Sequence, residues 1–520
     1  MSERRTMLYL FLVAVVVRVL IHVVFANDLI LGSDQIDYVN MGRKFSSGDL
    51  GGVLNTYWPP LLPALIGFVS LFVDDLTLPA VVVAVLTGSL VAPATYLLVR
   101  QSYDHSAALI AGVLAVFFPH LLNAVFDVGS ENVYIVLITG SLIAGWNVLS
   151  SDSLKYCIVA GVLLGLAYLT RPEAFAYPAF FVSLILLKAW WNKASLRPAV
   201  LSSALLLLTF SAVATPYLLY LRAETGSWTI SDKTEINTVM GEYSQVIGRN
   251  PAAEASEPNF DVATTILLLK IFGFNLVQIH KIIPILVPLP LMVFVAIGLF
   301  STGWSRGRMA REIYLLTFCL LTVIGYAAAV IQTRYFYILL PVVFGWGAKG
   351  IVAFGSWLRQ TARGIDNRFL NSFATSSFLP ASCVALVLLY TLPLNFFMSS
   401  HETAWRDRPY EERAAGVWLR DNAGPKSIVF SARKVAAFYG EAVQVPPPSN
   451  DFEEVFESIR SGNVEYVVSG QREFRRNPFL KDLESRMESS EVFERVYTNT
   501  EHPDYRISIF KRNRVQTGHE

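Results

Sequence analysis

Long apolar segments alternate with short polar loops over the first 397 residues. A helix that crosses a bilayer needs about 20 apolar residues. The pattern predicts crossings at 7–26, 79–99, 106–124, 132–150, 156–171, 173–191, 198–221, 279–300, 312–331, 335–355 and 377–397. Asn27-Asp28 is a poor signal-peptide cleavage site, so the first segment is expected to remain as an anchor. The sequence therefore predicts an α-helical polytopic membrane protein with about 11 transmembrane helices plus juxtamembrane helices.

One further apolar segment, 59–73, is only 15 residues long, which suits a helix in the membrane interface better than a crossing. With that choice, every second loop carries the basic residues that the positive-inside rule assigns to the cytoplasm. These are Arg4/Arg5, Arg100, Lys155, Lys193/Arg197, Arg306/Arg308/Arg311 and Arg359/Arg363/Arg368. The predicted topology is N-in/C-out, with long outer loops at 27–78 and 222–278. The apolar patch 266–276 in the second loop could also lie in the interface.

The last part of the chain, residues 398–520, has a different pattern. Segments 410–424, 451–461 and 479–488 predict helices, and 427–430, 465–469 and 505–510 predict strands. This alternation predicts a small α/β domain, soluble and non-cytoplasmic. The sequence thus predicts two domains, a transmembrane domain over 1–397 and a soluble domain over 398–520.

Composition supports the membrane interpretation. Hydrophobic residues make up 53% of the 520 residues and charged residues only 16%, whereas soluble domains have roughly 25% charged residues. The 42 basic and 41 acidic residues nearly cancel, so net charge indicates no nucleic-acid partner. The three cysteines, Cys157, Cys319 and Cys383, lie in apolar segments and are expected to pack as small hydrophobic side chains.

Acidic residues adjoin the outer ends of predicted crossings. Asp34 and Asp37 follow the first crossing, three residues apart, and would share one face of a helix. Asp127 and Glu131 lie between the third and fourth crossings. Charged groups at membrane depth are costly, so acids that adjoin the crossings are informative and favour a function. Helix capping by solvated acids is the alternative interpretation.

Basic residues occur on the same predicted face. Arg171 and Glu173 flank Pro172 and interrupt the apolar stretch 156–191; a turn explains the proline but not the two charges. Arg334 opens the tenth crossing, and Lys233 lies in the second outer loop. Each cation alone could be an interface anchor. Together they could hold a phosphate while the carboxylates supply a base, which is an arrangement for glycosyl transfer.

The order of these motifs resembles the polytopic glycosyltransferases of the C superfamily, which use polyprenyl-phosphate sugars. That group includes protein O-mannosyltransferases and the aminoarabinose transferase of lipid A. The matching motifs cover roughly residues 1–350 and are Asp34-Gln35-Ile36-Asp37-Tyr38, Tyr57-Trp58-Pro59-Pro60-Leu61-Leu62-Pro63, Ser130-Glu131, Leu169-Thr170-Arg171-Pro172-Glu173, Pro216-Tyr217 and Glu224-Thr225-Gly226.

The resemblance implies roles for the candidate residues. Asp34 would be the catalytic base, with Asp37 as the reserve candidate, because some members have adjacent acids in this loop whereas here they are three residues apart. Glu131 would help to shape the acceptor side. The basic residues that would bind the lipid phosphate are Arg171, Arg334 and Lys233. Other residues expected in the pocket are Tyr38, Asp127 and Glu173. No metal ligands are predicted, and a divalent metal requirement stays open.

The implied activity is that of an inverting hexosyl or pentosyl transferase of the EC 2.4 class. It would move a sugar from a polyprenyl-phosphate carrier to an acceptor hydroxyl on a glycan, glycolipid or protein at the outer face of the cell membrane. A transporter or flippase of lipid-linked sugars and a non-catalytic assembly subunit are the alternatives. Transporters usually carry broken segments at the bilayer midplane and repeated halves, and neither pattern is evident here.

Overall fold

The computed structural model describes residues 2–25, 30–124, 128–151, 153–232, 262–301, 303–328, 331–363, 378–392, 408–501 and 503–513. The chain divides into two compact units. The first contains Met1–Ala26 and Met41–Met398, and the second contains Asn27–Asn40 and Ser399–Glu520. The segment Asn27–Asn40, which the sequence analysis assigned to an outer loop of the membrane domain, is thus grouped with the C-terminal residues.

The first unit is built almost entirely of helices. Within the described residues, eight are long and apolar enough to cross a membrane: Glu3–Val24, Leu78–Ser102, Glu131–Ser151, Pro172–Trp191, Leu196–Thr225, Leu269–Leu286, Arg306–Ala327 and Thr333–Ala362. The protein is therefore a multi-pass membrane protein, as its composition predicts. The total of about eleven crossings and the N-in/C-out orientation stay predictions.

Shorter apolar helices complete this unit: Leu61–Ser70, His105–Phe117, Leu154–Tyr168, Leu289–Phe300 and Phe378–Leu392. At 1.5 Å per residue, the ten residues of Leu61–Ser70 extend about 15 Å, half the thickness of a bilayer core. This helix is too short to cross a bilayer, which agrees with the interfacial placement predicted for segment 59–73.

Prolines divide two of the predicted crossings. Segment 106–124 breaks at Phe118, which is extended before Pro119, because a proline disfavours helical geometry in the preceding residue. Segment 279–300 breaks before Pro288, so helix Val262–Leu286 ends there and Leu289–Phe300 begins. The patch 266–276 therefore lies within a 25-residue helix that continues to Leu286.

Glycines allow two of these helices to pack closely. A Cβ atom on Gly350 would collide with the carbonyl oxygen of Phe294, and one on Gly298 would collide with that of Trp346. Helix Leu340–Arg363 therefore contacts helix Leu289–Phe300 backbone to backbone, as small residues permit in membrane helix pairs.

The second unit contains five strands: β1 (Ile428–Phe430), β2 (Val443–Val445), β3 (Tyr466–Gly470), β4 (Phe493–Asn499) and β5 (Ile507–Arg512). They form one sheet in the order β2-β1-β3-β5-β4. Strands β2, β1 and β3 are parallel, whereas β5 is antiparallel to both β3 and β4. Asn27–Asn40 is called the first-loop segment below. The helices in the C-terminal part of the unit are Tyr410–Ala423, Lys434–Tyr439, Phe452–Ser461, Gln471–Arg476 and Leu483–Glu488. The predicted α/β fold is confirmed, with β2 and β4 as additional strands.

Helices cover both faces of this sheet. Val467 of β3 packs in the same apolar cluster as residues of Phe452–Ser461 and Leu483–Glu488. Its neighbour Val468 points to the opposite face, where residues of Tyr410–Ala423 pack. Because successive side chains of a strand alternate between faces, the fully buried strand β3 supplies both apolar cores.

Candidate active site

The first group of candidate residues lies on a helix of the predicted first outer loop, Ser33–Ser46. Asp34 is in its first turn, where a carboxylate interacts favourably with the helix dipole. Asp37 and Tyr38 follow one turn later, so the expected helical face is present. Asp34 and Asp37 are partly exposed, and Tyr38 is buried. All three belong to the second compact unit.

Asp37 is held by a residue that the sequence analysis did not single out. The ammonium Nζ of Lys434 lies 2.6 Å from Oδ1 of Asp37 and 2.8 Å from Oδ2. Lys434 is separated from Asp37 by 397 positions in the chain, so no local pattern indicates this contact. The ion pair brings the C-terminal residues directly onto the predicted catalytic segment.

The second group is an ion cluster in the first compact unit. Arg171 donates from Nη1 to Oε1 of Glu131 at 3.0 Å and from Nη2 to Oε1 of Glu173 at 2.9 Å. The Nε atom of Arg334 lies 3.5 Å from the same oxygen of Glu131. Four of the predicted site residues are thus in one network, with two guanidinium groups converging on one carboxylate.

Burial distinguishes the two arginines of this ion cluster. The side chain of Arg171 is 9% exposed and that of Arg334 is 29% exposed. The Arg171 guanidinium carbon also lies 4.5 Å from the ring centroid of Tyr335 and 5.7 Å from that of Tyr134, distances at which a cation attracts the face of a ring. Arg171 is therefore fixed inside the protein, while Arg334 is the more accessible cation.

The backbone explains why these side chains meet. Glu131 lies in the first turn of helix Glu131–Ser151. Arg171 is extended, with φ −149° and ψ 130°, as the residue before a proline prefers. It therefore lies between the end of Leu154–Tyr168 and the 3₁₀ turn Pro172–Ala176. The break expected in the apolar stretch is the feature that turns Arg171 toward Glu131.

Parts of the two predicted outer loops join next to this break. Thr56 donates its hydroxyl to Asp232 at 2.9 Å, and the backbone N–H of Asp232 donates to the carbonyl of Thr56 at 3.0 Å. Tyr217 donates to the carbonyl of Asn55 at 2.8 Å. Leu61 donates its backbone N–H to Leu169 at 2.9 Å, two residues before Arg171. The motifs around Trp58, Arg171 and Tyr217 are therefore neighbours in space.

Two candidates, Asp127 and Lys233, lie outside the described residues. Lys233 directly follows Asp232, whose position is fixed by the contacts with Thr56. Among the residues that the structure describes, no group of three or more His, Cys, Asp or Glu side chains is arranged to hold a metal ion.

A family model matches part of the sequence. The model of the dolichyl-phosphate-mannose-protein mannosyltransferase family matches residues 58–215, a range that includes Glu131 and Arg171. No curated protein matches the chain.

The fold is similar to that of solved glycosyltransferase structures. The apo oligosaccharyltransferase of Archaeoglobus fulgidus matches with a TM-score of 0.59 and 15% identity, covering 91% of this chain and 70% of that chain. ArnT from Cupriavidus metallidurans bound to undecaprenyl phosphate matches with a TM-score of 0.58 and 14% identity, covering 97% of this chain and 99% of that chain. The archaeal oligosaccharyltransferase AglB from Archaeoglobus fulgidus, in complex with an inhibitory peptide and a dolichol-phosphate, matches with a TM-score of 0.55 and 13% identity. The match covers 90% of this chain and 69% of that chain.

These matches agree with the resemblance carried by the sequence motifs. At 13–15% identity the structural likeness concerns the fold, and the family match covers the segment from Trp58 to the last part of helix Leu196–Thr225. The chain is a polytopic membrane protein whose fold is similar to those of the solved oligosaccharyltransferase and ArnT structures.

Proposed function

We propose that this protein is an inverting glycosyltransferase that moves a sugar from a polyprenyl-phosphate carrier to an acceptor hydroxyl. The observation that carries the proposal is the convergence of Arg171 and Arg334 on Glu131 where a membrane helix begins. Cations at the end of a membrane helix suit the phosphate of a lipid carrier, whose chain would remain in the bilayer. Related folds have been solved with undecaprenyl phosphate and with a dolichol-phosphate bound.

The two arginines would have different tasks. Arg334, the more exposed of the pair, would contact the lipid phosphate and stabilise the negative charge that develops as the phosphate leaves. Arg171, which the sequence analysis assigned to the lipid phosphate, would instead keep Glu131 and Glu173 in place, because its buried guanidinium contacts both carboxylates. Lys233 would supply a further cation from the second loop. Glu131 would face the acceptor side.

A base on the first-loop helix would complete the reaction. Asp34 would remove the proton from the acceptor hydroxyl as its oxygen attacks the anomeric carbon, while the bond from that carbon to the phosphate oxygen breaks. A single displacement without a covalent intermediate inverts the anomeric centre, as in inverting glycosidases. Asp37 remains the reserve candidate for this role.

The proposal also covers the class of sugar, the class of acceptor and the side of the membrane on which the reaction takes place. The transferred sugar would be a hexose or pentose, and the acceptor a glycan, glycolipid or protein. The reaction would take place at the outer face of the cell membrane, with the C-terminal α/β domain on that side, as the distribution of basic loops predicts. A divalent metal requirement stays open.

Glycan and glycolipid mass spectrometry of a strain lacking the gene, compared with its parent, identifies the missing product and the accumulated donor. Purified protein in detergent is then incubated with donor and acceptor fractions from the deletion strain. The wild type should form product, and Asp34→Asn should be slower by about 10²- to 10⁴-fold, the usual contribution of a general base.

The same experiment distinguishes the alternatives. A flippase forms no product in detergent, where the two sides of a bilayer do not exist, and neither does an assembly subunit. Absence of product with the wild type would therefore refute the transferase proposal. Full activity of Asp34→Asn would instead remove only the base assignment.

A further inference from the structure

Lys434 connects the C-terminal residues to the predicted catalytic helix through both oxygens of Asp37. The ion pair lies within one compact unit, which contains Asn27–Asn40 and Ser399–Glu520. Its side chains are 39% and 25% exposed for Lys434 and Asp37, so the contact is not part of an apolar core. Its removal is expected to leave the fold of this unit intact.

The backbone around Lys434 is anchored to buried acids. Arg433, the preceding residue, forms an ion pair with Glu412 at 2.5 Å and donates its backbone N–H to Oε1 of Glu473 at 3.3 Å. Glu412 and Glu473 are 2% and 1% exposed. Helix Lys434–Tyr439 therefore begins at a fixed point, and the ammonium of Lys434 is presented from a rigid base.

Tyr439, at the other end of the same helix, makes a second contact with the first-loop segment. The backbone N–H of Leu31 donates to the hydroxyl oxygen of Tyr439 at 3.0 Å. Leu31 is fully buried. One short helix thus fixes positions 31 and 37, and Asp34 lies midway between these two attachment points.

We propose that Lys434 is a positioning residue for the transfer reaction, which holds the first-loop helix through Asp37 so that Asp34 is aligned as the base. This inference rests on the proposed function. It also separates the two acids: both oxygens of Asp37 accept hydrogen bonds from the Lys434 ammonium, so Asp37 would anchor the helix and Asp34 would act as the base. The C-terminal α/β domain is then part of the catalytic machinery.

The test uses the full-length protein and four variants: Lys434→Met, Lys434→Arg, Asp37→Asn and the Lys434→Met/Asp37→Asn double variant. Misplacement of a catalytic group by about 1 Å can cost 10²-fold in rate. Lys434→Met should therefore lower kcat by roughly 10- to 100-fold, with KM for the donor little changed. Lys434→Arg should recover most of the rate, because a guanidinium can also contact both oxygens of a carboxylate.

The double variant reports whether Lys434 acts through Asp37. If it does, the double variant should be no slower than Asp37→Asn alone, because the same contact is already lost. Lys481→Met, a change at an exposed lysine of the same domain, is the matched control and should retain wild-type kcat. Thermal unfolding of every variant should match that of the wild type.

Three results would overturn the inference: wild-type kcat for Lys434→Met, an unfolding midpoint that falls in parallel with kcat, or a double variant much slower than Asp37→Asn. Each of these requires product formation by the wild type. Failure of the wild type to form product refutes the proposed function itself, so the two failures are distinguishable.

Discussion

Glu131 accepts a hydrogen bond from Arg171 at 3.0 Å, and both side chains are more than nine-tenths buried. Removing one member of a buried ion pair leaves the other charge without compensation, which usually costs about 3–5 kcal/mol. Here Glu173 would still contact Arg171, which reduces the loss. The ion cluster is therefore expected to serve stability as well as function.

Glu131→Gln should lower the free energy of unfolding by about 1–3 kcal/mol, the cost of losing hydrogen bonds to a charged group. Denaturant unfolding of the purified protein in detergent micelles measures this change. Glu224→Gln is the control, because Glu224 is exposed at the end of helix Leu196–Thr225. Equal stability of the two variants would contradict the structural role of Glu131.

Arg334→Gln should weaken the binding of undecaprenyl phosphate by about 10- to 100-fold, because charge-assisted hydrogen bonds contribute about 1.5–3 kcal/mol. Binding is measured with the purified protein by titration of the lipid. Arg100→Gln is the control: Arg100 lies in the last turn of a membrane helix, on the predicted cytoplasmic side, and forms an exposed ion pair with Glu3. Unchanged affinity of Arg334→Gln would remove Arg334 from the phosphate site.

The second compact unit should lose stability as the pH rises. Burial raises the pKa of Glu473 to about 8, and the nearby charge of Glu412 adds to this. Burial likewise raises the pKa of Glu412 to about 7, against the opposing effect of Arg433. Between the ordinary pKa of about 4.5 and these values the folded state binds more protons than the unfolded state, so stability falls as the pH rises through this range.

Hydrogen exchange with mass spectrometry measures this effect on peptides from strand Tyr466–Gly470, after correction for the intrinsic exchange rate. Protection should be greater at pH 6 than at pH 8.5. Glu473→Gln should flatten the dependence, because a glutamine does not titrate. Protection that increases with pH would show that the folded state prefers both acids ionised.

Gly350→Ala should disrupt the packing of helix Leu340–Arg363 on helix Leu289–Phe300, because its methyl group would collide with the backbone of Phe294. Overpacking of this kind costs about 1–3 kcal/mol or more. Gly325→Ala is the matched control, since nothing lies within 4 Å of a Cβ atom at that position. Thermal unfolding in detergent should separate the two variants, and equal midpoints would contradict the close approach.

Much of the fold could be predicted from the local pattern of apolar residues, because bilayer thickness and backbone hydrogen bonding restrict the length and type of elements that cross a membrane. The apolar lengths predicted most long helices and the short one at Leu61–Ser70. The break at Phe118 was missed, since a single proline within an apolar segment can kink a helix or divide it. Strand Phe493–Asn499 was missed because four of its seven residues, Glu494, Arg495, Thr498 and Asn499, are polar or charged.

The candidate site was predictable to the extent that its residues adjoin membrane helices. The sequence analysis placed Glu131 and Arg171 on the same predicted face of the membrane, and the structure adds that the two side chains are in contact. The contact between Asp37 and Lys434 joins residues that are 397 positions apart in the sequence. The sequence around Lys434 contains none of the motifs identified above. Such a pair depends on the tertiary fold of the C-terminal domain, which local periodicity does not specify.

The discontinuous second unit has a consequence for biosynthesis. Asn27–Asn40 is translated about 400 residues before Lys434 and Tyr439. At 5–20 residues per second, that interval is roughly 20–80 seconds. A nascent chain would therefore already be threaded into the membrane before the first-loop helix had formed these contacts, and the proposed positioning of Asp34 would be complete only after the C-terminal α/β domain had folded.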